Sequence, residues 1–594
     1  MNSMLQLALS SFALAALASL GVLDAVEVRV EAEGTTHHPA VASDWAWGGQ
    51  AASSNHPWEP LLHTALPASA PTGEVRLWVR SRLGPVCVKA LKANGEQDEL
   101  GWVWSATHEF AWNKLGNFSA ARLAGGLLVI RGDRSAQADA QLDCVVLSDV
   151  DQVPATPPLP PRPGTEVLTI AWSSSDAAVR APVTTELSFG LNLFHAFEPA
   201  LLNDPRYRAN LLMMRPGFLR LHNGGQSGAV TNGGIWDLEA KTLDAAQIAT
   251  LCQAWKGLAP NFMMNISGWP AWMDADGDGR LDEAQISAYA SACGEFVRLV
   301  NISGKVGIHW WETVNEKDDP YYLKVTPPRH AELARIHQAC AVAMKAVDPT
   351  ILVGGPSAAR PDKVDDLLLF ARAAGNSLDF MSFHAYGSGS ASDSDEHMFE
   401  RTEQMADQTT ALSRAIDQTL GRKVPAFFDE YNISWTWETR DERMTNHFSA
   451  MFDALIMAKC ANRGMTSTAA WNECDGIYGK MDNQFKLRPS ATVFARLNRD
   501  FIGQVATVNA PPTAPVCLAV RHADRTRAVM LINTDIRTVH VSLPGLDPGS
   551  ALSVAVLADG VVNERVSTWA QAATGFDLPG RSVTWLMDSV PTVK

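Results

Sequence analysis

No two of the eight cysteines stand as Cys-x-x-Cys; they are scattered at 87, 144, 252, 293, 340, 460, 474 and 517. That excludes the usual zinc spacing. Most lie in apolar runs and read as buried thiols. Cys87 and Cys144 share one N-terminal region and are the pair to consider for a bridge. Positive charge is scarce: Lys and Arg number 49 against 64 Asp and Glu, a net charge of -15. This argues against nucleic acid and anionic membranes as partners, and mildly against a polyanionic substrate. Beyond residue 25 no stretch is long and apolar enough to span a membrane, and no internal repeat is visible. Residues 5–23 are apolar, broken by serines, and run into Leu23-Asp24-Ala25. They read as a secretory signal over 1–25, despite an n-region without Lys or Arg, with an N-terminal membrane anchor as the alternative. A secreted, periplasmic or extracellular protein is expected.

What the chain does hold is 594 residues, 46% hydrophobic and 19% charged, enough for two to four globular domains. Nineteen tryptophans are present, and Trp45, Trp47, Trp58, Trp78, Trp102, Trp104 and Trp112 fall in one region. There, over 26–153, short alternating strands between turn signals predict a β-sandwich. Six prolines in residues 153–164 mark a stiff linker, with a lead-in to residue 182. From 183 to 500 strands and helices alternate. Candidate strands are 187–193, 218–222, 262–266, 306–314, 351–354, 378–383, 426–429 and 466–471. Between them, 329–347 shows a helical stripe of Leu333, Ile336, Cys340, Met344 and Val347. Eight such units predict a (β/α)8 TIM barrel. Strands return in 501–594. The expected fold is a multidomain chain, a (β/α)8 TIM barrel flanked by an N-terminal and a C-terminal β-sandwich.

The barrel strands end in chemistry. Gly307-Ile308-His309-Trp310-Trp311-Glu312-Thr313-Val314-Asn315-Glu316 is a buried-looking strand with an acid at its tip, and Pro425-Ala426-Phe427-Phe428-Asp429-Glu430 is a second. A carboxylate at the end of a buried strand needs a partner or a task. Glu316 and Glu430 are the candidate catalytic pair, at the ends of the fourth and seventh strands. Other strands finish in Arg220 and His222, Ser267, His384 and Tyr386, and Trp471. Alternation puts Asp429 on the face opposite Glu430, and Glu312 on the face of Glu316 but deeper, as a buried structural acid. A separate loop, Asp274-Ala275-Asp276-Gly277-Asp278-Gly279-Arg280-Leu281-Asp282, matches the start of an EF-hand calcium loop. Asp274, Asp276, Asp278 and Asp282 would be side-chain ligands and the Arg280 carbonyl a backbone ligand, for a structural Ca2+; position twelve is Gln285 rather than Glu.

Four motifs carry a family resemblance: Thr313-Val314-Asn315-Glu316, Val353-Gly354-Gly355-Pro356-Ser357, Leu378-Asp379-Phe380-Met381-Ser382-Phe383-His384-Ala385-Tyr386, and Asp429-Glu430-Tyr431-Asn432-Ile433-Ser434. Over 183–500 the sequence resembles the retaining (β/α)8 glycoside hydrolases, and within them family 39, the β-xylosidase and α-iduronidase family. Through Glu31-Ala32-Glu33, Leu77-Trp78-Val79-Arg80 and Leu142-Asp143-Cys144-Val145-Val146-Leu147-Ser148-Asp149, the N-terminal sandwich resembles jelly-roll carbohydrate-binding modules. The resemblance implies Glu316 as acid/base and Glu430 as nucleophile. It implies that Asn315 bonds a sugar 2-OH, that Tyr386 bonds the nucleophile, and that Arg220, His222 and His384 line the glycone site, with Trp471 as stacking floor. Catalysis would need no cofactor. The partner would be a carbohydrate, with no nucleic acid and no stable protein partner. The chain departs from the family at Trp471-Asn472-Glu473-Cys474-Asp475 and in the Gly-rich loop 223–228, and both bear on which sugar is bound. The expected activity is β-xylosidase-like cleavage of a plant or algal polysaccharide or its oligosaccharides. An endo-acting glycanase of agarase, xylanase or mannanase type is the alternative, and a glycan-binding protein with an inactive barrel the rival from another class.

Overall fold

The computed structural model describes residues 27–588 apart from 33–39, 43–49, 55–59, 83, 93, 106–109, 132–139, 155–160, 173–181, 223–234, 392, 437–440 and 545–550. The expected signal, part of the Pro-rich linker and the Gly-rich loop therefore lie outside the described residues. The chain divides into two compact units, Met1–Leu159 and Pro160–Lys594.

The first unit is two antiparallel sheets. One has six strands, with Ala140–Ser148 and Glu74–Arg82 at its centre; the other has four, ordered Pro60–Thr64, Leu127–Arg131, Gly84–Leu91, Gln97–Ser105. Alternate residues such as Leu77, Val79, Val88, Val129, Val145 and Leu147 meet between the sheets, as period-two patterning requires. Cys87 is on the four-stranded sheet and Cys144 on the six-stranded one, and all eight cysteines are free and buried.

The second unit is built on a closed barrel of eight parallel strands: β1 (Phe189–Leu193), β2 (Phe218–Leu221), β3 (Asn261–Asn265), β4 (Trp310–Glu312), β5 (Leu352–Ala358), β6 (Met381–Ser388), β7 (Ala426–Ser434) and β8 (Ser467–Ala470). The helix expected over 329–347 is His330–Val347. The expected ten-residue fourth strand shrinks to three residues. Gly307 takes φ 76° and Glu316 φ 48°, so the chain turns at both ends instead of staying extended. The C-terminal strands appear as expected, and Val561–Thr568 joins them as an edge strand. The lead-in is not all linker: Thr165–Val167 pairs with Val539–Ser542, and Thr169–Ala171 with Thr507–Asn509. Trp585, Met530 and Val520 of this sandwich belong to the same apolar core as the barrel helices.

Inside the barrel the side chains stack in layers. Phe218, Met263, Trp310, Phe380, Phe427 and Ala469 form an apolar plug. Two residues on along the same strands stand Arg220, Asn265, Glu312, Ser382, Asp429 and Trp471. Strand side chains repeat every second residue, so a polar storey rests directly on the plug. Gly190 on β1 has no side chain because a Cβ there would lie 2.3 Å from the Phe218 ring.

Candidate active site

Arg220 is the hub of the polar storey, and none of its side chain is exposed. Its Nε lies 2.8 Å from Glu312 Oε2 and 3.0 Å from Asp429 Oδ2. Nη1 donates to Asn192 Oδ1 at 2.8 Å and Glu430 Oε2 at 3.3 Å. Nη2 donates to Asn315 Oδ1 at 2.7 Å and Ser357 Oγ at 3.2 Å. Arg220 is thus a buried clamp on the acids, beneath the mouth rather than on its lining. Asn265 adds a donor to Glu312 Oε2 at 2.8 Å. The expected alternation fails at Asp429. The ladder slips between Phe383 and His384 on one side of β7 and between Phe428 and Tyr431 on the other. Such a bulge sets two residues against one, and Asp429 and Glu430 both reach Arg220.

Two carboxyl groups on one Nε–H cannot both be satisfied by it. No hydrogen-bond donor is aligned on Glu312 Oε1 or on either Asp429 oxygen. Two bare carboxylates here would be costly, so the pair holds a proton. Burial, and then the Glu312 charge, push the Asp429 carboxyl well up; burial also pushes Glu312 up, but Arg220 together with neighbouring hydrogen bonds outweighs it and the net shift is down. Asp429 is therefore the neutral acid and Glu312 the anion.

His384, on β6, joins this floor to the mouth. Its Nδ1 is 2.8 Å from Glu316 Oε1 and 3.6 Å from Glu430 Oε2, and its Nε2 is 3.7 Å from Asp429 Oδ1. Burial opposes its charge, but the acids around it, Glu430 first, raise its pKa to about 9. It is an imidazolium at neutral pH. Glu316 ends the β4 turn with its amide on Ser357 O at 3.0 Å and 41% of its side chain exposed. Its positive φ is shared by its neighbours Ser267 (70°) and Ser357 (52°), a strained ring of backbone around an exposed acid. Glu430 is nearly buried, with the Tyr386 hydroxyl donating to Oε1. Oxygens of Glu316 and Glu430 and a ring nitrogen of His384 all lie within 4.8 Å of one another.

The walls of the mouth push Glu316 up, yet the hydrogen bond and charge of His384 outweigh them and its pKa is lowered. Burial raises Glu430, and the Glu316 charge adds to it against His384, Arg220 and Tyr386. The three groups titrate as a unit. Protonating Glu316 removes the anion that raises Glu430. Arg220 and His384 then face two anions, Glu312 and Glu430, and the buried charges sum to zero.

The sequence model for glycosyl hydrolases family 39 matches residues 297–490, the segment that carries Glu316, His384, Tyr386 and Glu430. The protein is a glycoside hydrolase. No curated protein sequence matches the chain. Among solved structures, a monomeric β-xylosidase from Caulobacter crescentus CB15 is similar at 17% identity, covering 72% of this chain and all of that one, with a TM-score of 0.52. An α-L-arabinofuranosidase from Thermotoga maritima is similar at 14% identity, with the same coverage and TM-score. A family 39 enzyme from Xanthomonas axonopodis pv. citri stands at 16%, 73% and 98% coverage, and 0.52. At these identities the likeness is one of fold.

In the glycoside hydrolase the remaining expected residues fall around this centre unequally. His222 is buried on Asn265 and Ser267, and burial with the Arg220 charge pushes its pKa well down, so its ring is neutral. Trp471 is only 4% exposed, edged by Phe194 and tilted against His222, each at 5.5 Å; little of its ring is open to serve as a floor. The departures after it are braces. Glu473 accepts from Phe194 N, His195 Nδ1 and Tyr207 Oη at 2.6, 2.9 and 2.7 Å. Asp475 accepts from the backbone of Ile477 and Gly479. Tyr386 stands on Glu430 and His384 on Glu316.

In the acidic loop, carboxylate oxygens of Asp274, Asp276 and Asp278 converge within 4.8 Å, as a hard cation's ligands do. Asp282 is not in that cluster; its Oδ2 accepts from Ala275 N at 3.2 Å. The Arg280 guanidinium pairs with Asp278. Three of the four expected side-chain ligands therefore stand together and the fourth does not.

Sequence reasoning missed Asn192, Asn265, Ser357 and the inward turn of Asp429. The period-two run Phe218, Arg220, His222 carried the signal for the polar storey; the bulge left none.

Proposed function

We propose that the enzyme is a retaining glycosidase in which Glu430 is the nucleophile and Glu316 the acid/base. The observation that carries this is the spacing: oxygens of the two acids lie within 4.8 Å. Retaining enzymes hold their carboxyl groups about 5–5.5 Å apart, and inverting ones about 6.5–9.5 Å, to admit a water. Glu316, the more exposed acid, gives its proton to the leaving oxygen while Glu430 attacks the anomeric carbon. Glu316 then takes a proton from the water that releases the covalent sugar. Asn315 has its Oδ1 committed to Arg220, which leaves its amide nitrogen for the sugar 2-OH.

The substrate class we assign is a β-xyloside or related plant or algal oligosaccharide, supported by the family 39 segment. The apolar stretch 5–23 supports export from the cytoplasm. Trp102, 45% exposed with its Nε1 fixed on Glu99 at 2.9 Å, supports glycan binding by the N-terminal unit. The test is a panel of p-nitrophenyl glycosides with the product followed by proton NMR. The first sugar released keeps the anomeric configuration of the substrate. Initial release of the opposite anomer rejects the retaining assignment.

A further inference from the structure

One aromatic side chain at the mouth is not used by the catalytic centre. Trp435 follows the last residue of β7. Its amide donates to Ser388 O at the end of β6 at 3.1 Å, so it continues the ladder at the end of the barrel where the acids stand. It is 61% exposed, so much of a large amphipathic ring is left open to solvent. It is also held in place. A Cβ on Gly389 would lie 2.1 Å from its Cζ2, so the indole rests against bare backbone that only glycine leaves open. The next residue is pinned on both sides: Thr436 N bonds Ser434 Oγ at 3.2 Å, and Thr436 O accepts from the Tyr478 hydroxyl at 2.7 Å.

The pairing fixes its distance from the chemistry. On β6 and β7, His384 faces Glu430, Tyr386 faces Asn432 and Ser388 faces Ser434. Trp435 is five residues beyond Glu430, and at a strand rise of ~3.3 Å that is roughly 16 Å. A single sugar held at the acids does not extend that far.

Resting on the glycosidase reading above, we propose that Trp435 is a sugar-stacking platform of a distal subsite, and that the natural substrate is a chain of several sugars long enough to reach it. The ligand is the apolar face of a sugar ring, laid on an indole whose other support is the Gly389 backbone.

The test compares wild type with Trp435→Ala and Trp435→Phe on p-nitrophenyl β-D-xyloside and on β-1,4-xylo-oligosaccharides of two to six units. Where the glycoside panel returns another sugar, the same pair of probes is taken in that sugar. Trp435→Ala lowers kcat/KM for the longest oligosaccharides by about three- to tenfold, the size of one aromatic contact, and leaves the aryl glycoside unchanged. Trp435→Phe recovers part of the loss. An equal loss at every length assigns Trp435 to structure and overturns the platform, as does no loss at any length. Affinity electrophoresis of Glu430→Gln in soluble xylan, with and without Trp435→Ala, reads the platform without turnover; equal retardation of the two also overturns it. Failure of wild type on every aryl glycoside strikes the glycosidase reading instead, and the electrophoresis then decides the platform alone.

Discussion

Replacing Asp429 by Asn tests the proton assigned to the buried floor. Asp429 Oδ2 is 3.0 Å from Arg220 Nε and its Oδ1 3.7 Å from His384 Nε2. If Asp429 is neutral, Asn changes no charge and still donates to Glu312. The acidic limb of the kcat/KM profile, which reports Glu430 in the free enzyme, then stays where it is. If Asp429 were ionised, the exchange would delete an anion on the same guanidinium as Glu430. At a separation of about 5 Å and an effective dielectric of about 20, that interaction is about 3 kcal/mol, so the limb would fall by on the order of two pH units. Glu312→Gln is the counterpart: with its neighbour neutral, Asp429 gives up its proton and takes over as the anion on Arg220. Each single variant keeps one anion there. The double variant leaves Arg220 only Glu430, and stripping a buried charge of its partner costs about 3–5 kcal/mol. The assay is a pH profile on an aryl glycoside together with thermal midpoints of the two singles and the double. A downward move of a full unit in Asp429→Asn, or additive losses in the double variant, refutes the shared proton.

His384→Asn removes a cation that lowers Glu316 and Glu430 alike. Both limbs of the pH profile therefore move to higher pH; movement of either limb downward contradicts the arrangement. His384 itself, with its pKa raised to about 9, stabilises the fold below its unfolded value, and that contribution is lost as pH rises through about 9. The thermal midpoint of wild type consequently falls between pH 7 and 10 by more than that of His384→Asn. Calcium added to chelator-treated protein raises the thermal midpoint through the acidic loop, leaves kcat on aryl glycosides unchanged, and does neither in Asp276→Ala; a loss of kcat on chelation would tie the loop to the chemistry.

The large outline was legible because it follows from period and length. Eight strand-helix units announce a barrel, and acids at the tips of two apolar strands announce a pair. What escaped has local causes. A bulge carries no composition, so Asp429 next to Glu430 read as pointing away, yet it shares Arg220 with it. The fourth strand read as ten residues because Trp310 and Trp311 are strong strand formers, but it is three long, and the positive φ of Glu316 is not written in a glutamate. Trp471 read as an open platform from its place at a strand end; Phe194 and His222 cover it. Trp435 gave no signal, since its exposure depends on Gly389, which comes from the neighbouring strand's loop.

The central claim is that Glu430 forms the covalent bond to the sugar, and Glu430→Ala assayed with and without sodium azide tests it most directly. Alanine removes the nucleophile and leaves a space beside Arg220 and Tyr386 that a small anion can enter. Turnover of an aryl glycoside falls by several orders of magnitude, azide restores part of it, and the product is a glycosyl azide of inverted anomeric configuration. Residual turnover close to wild type, or rescue that yields the retained anomer, would contradict the account.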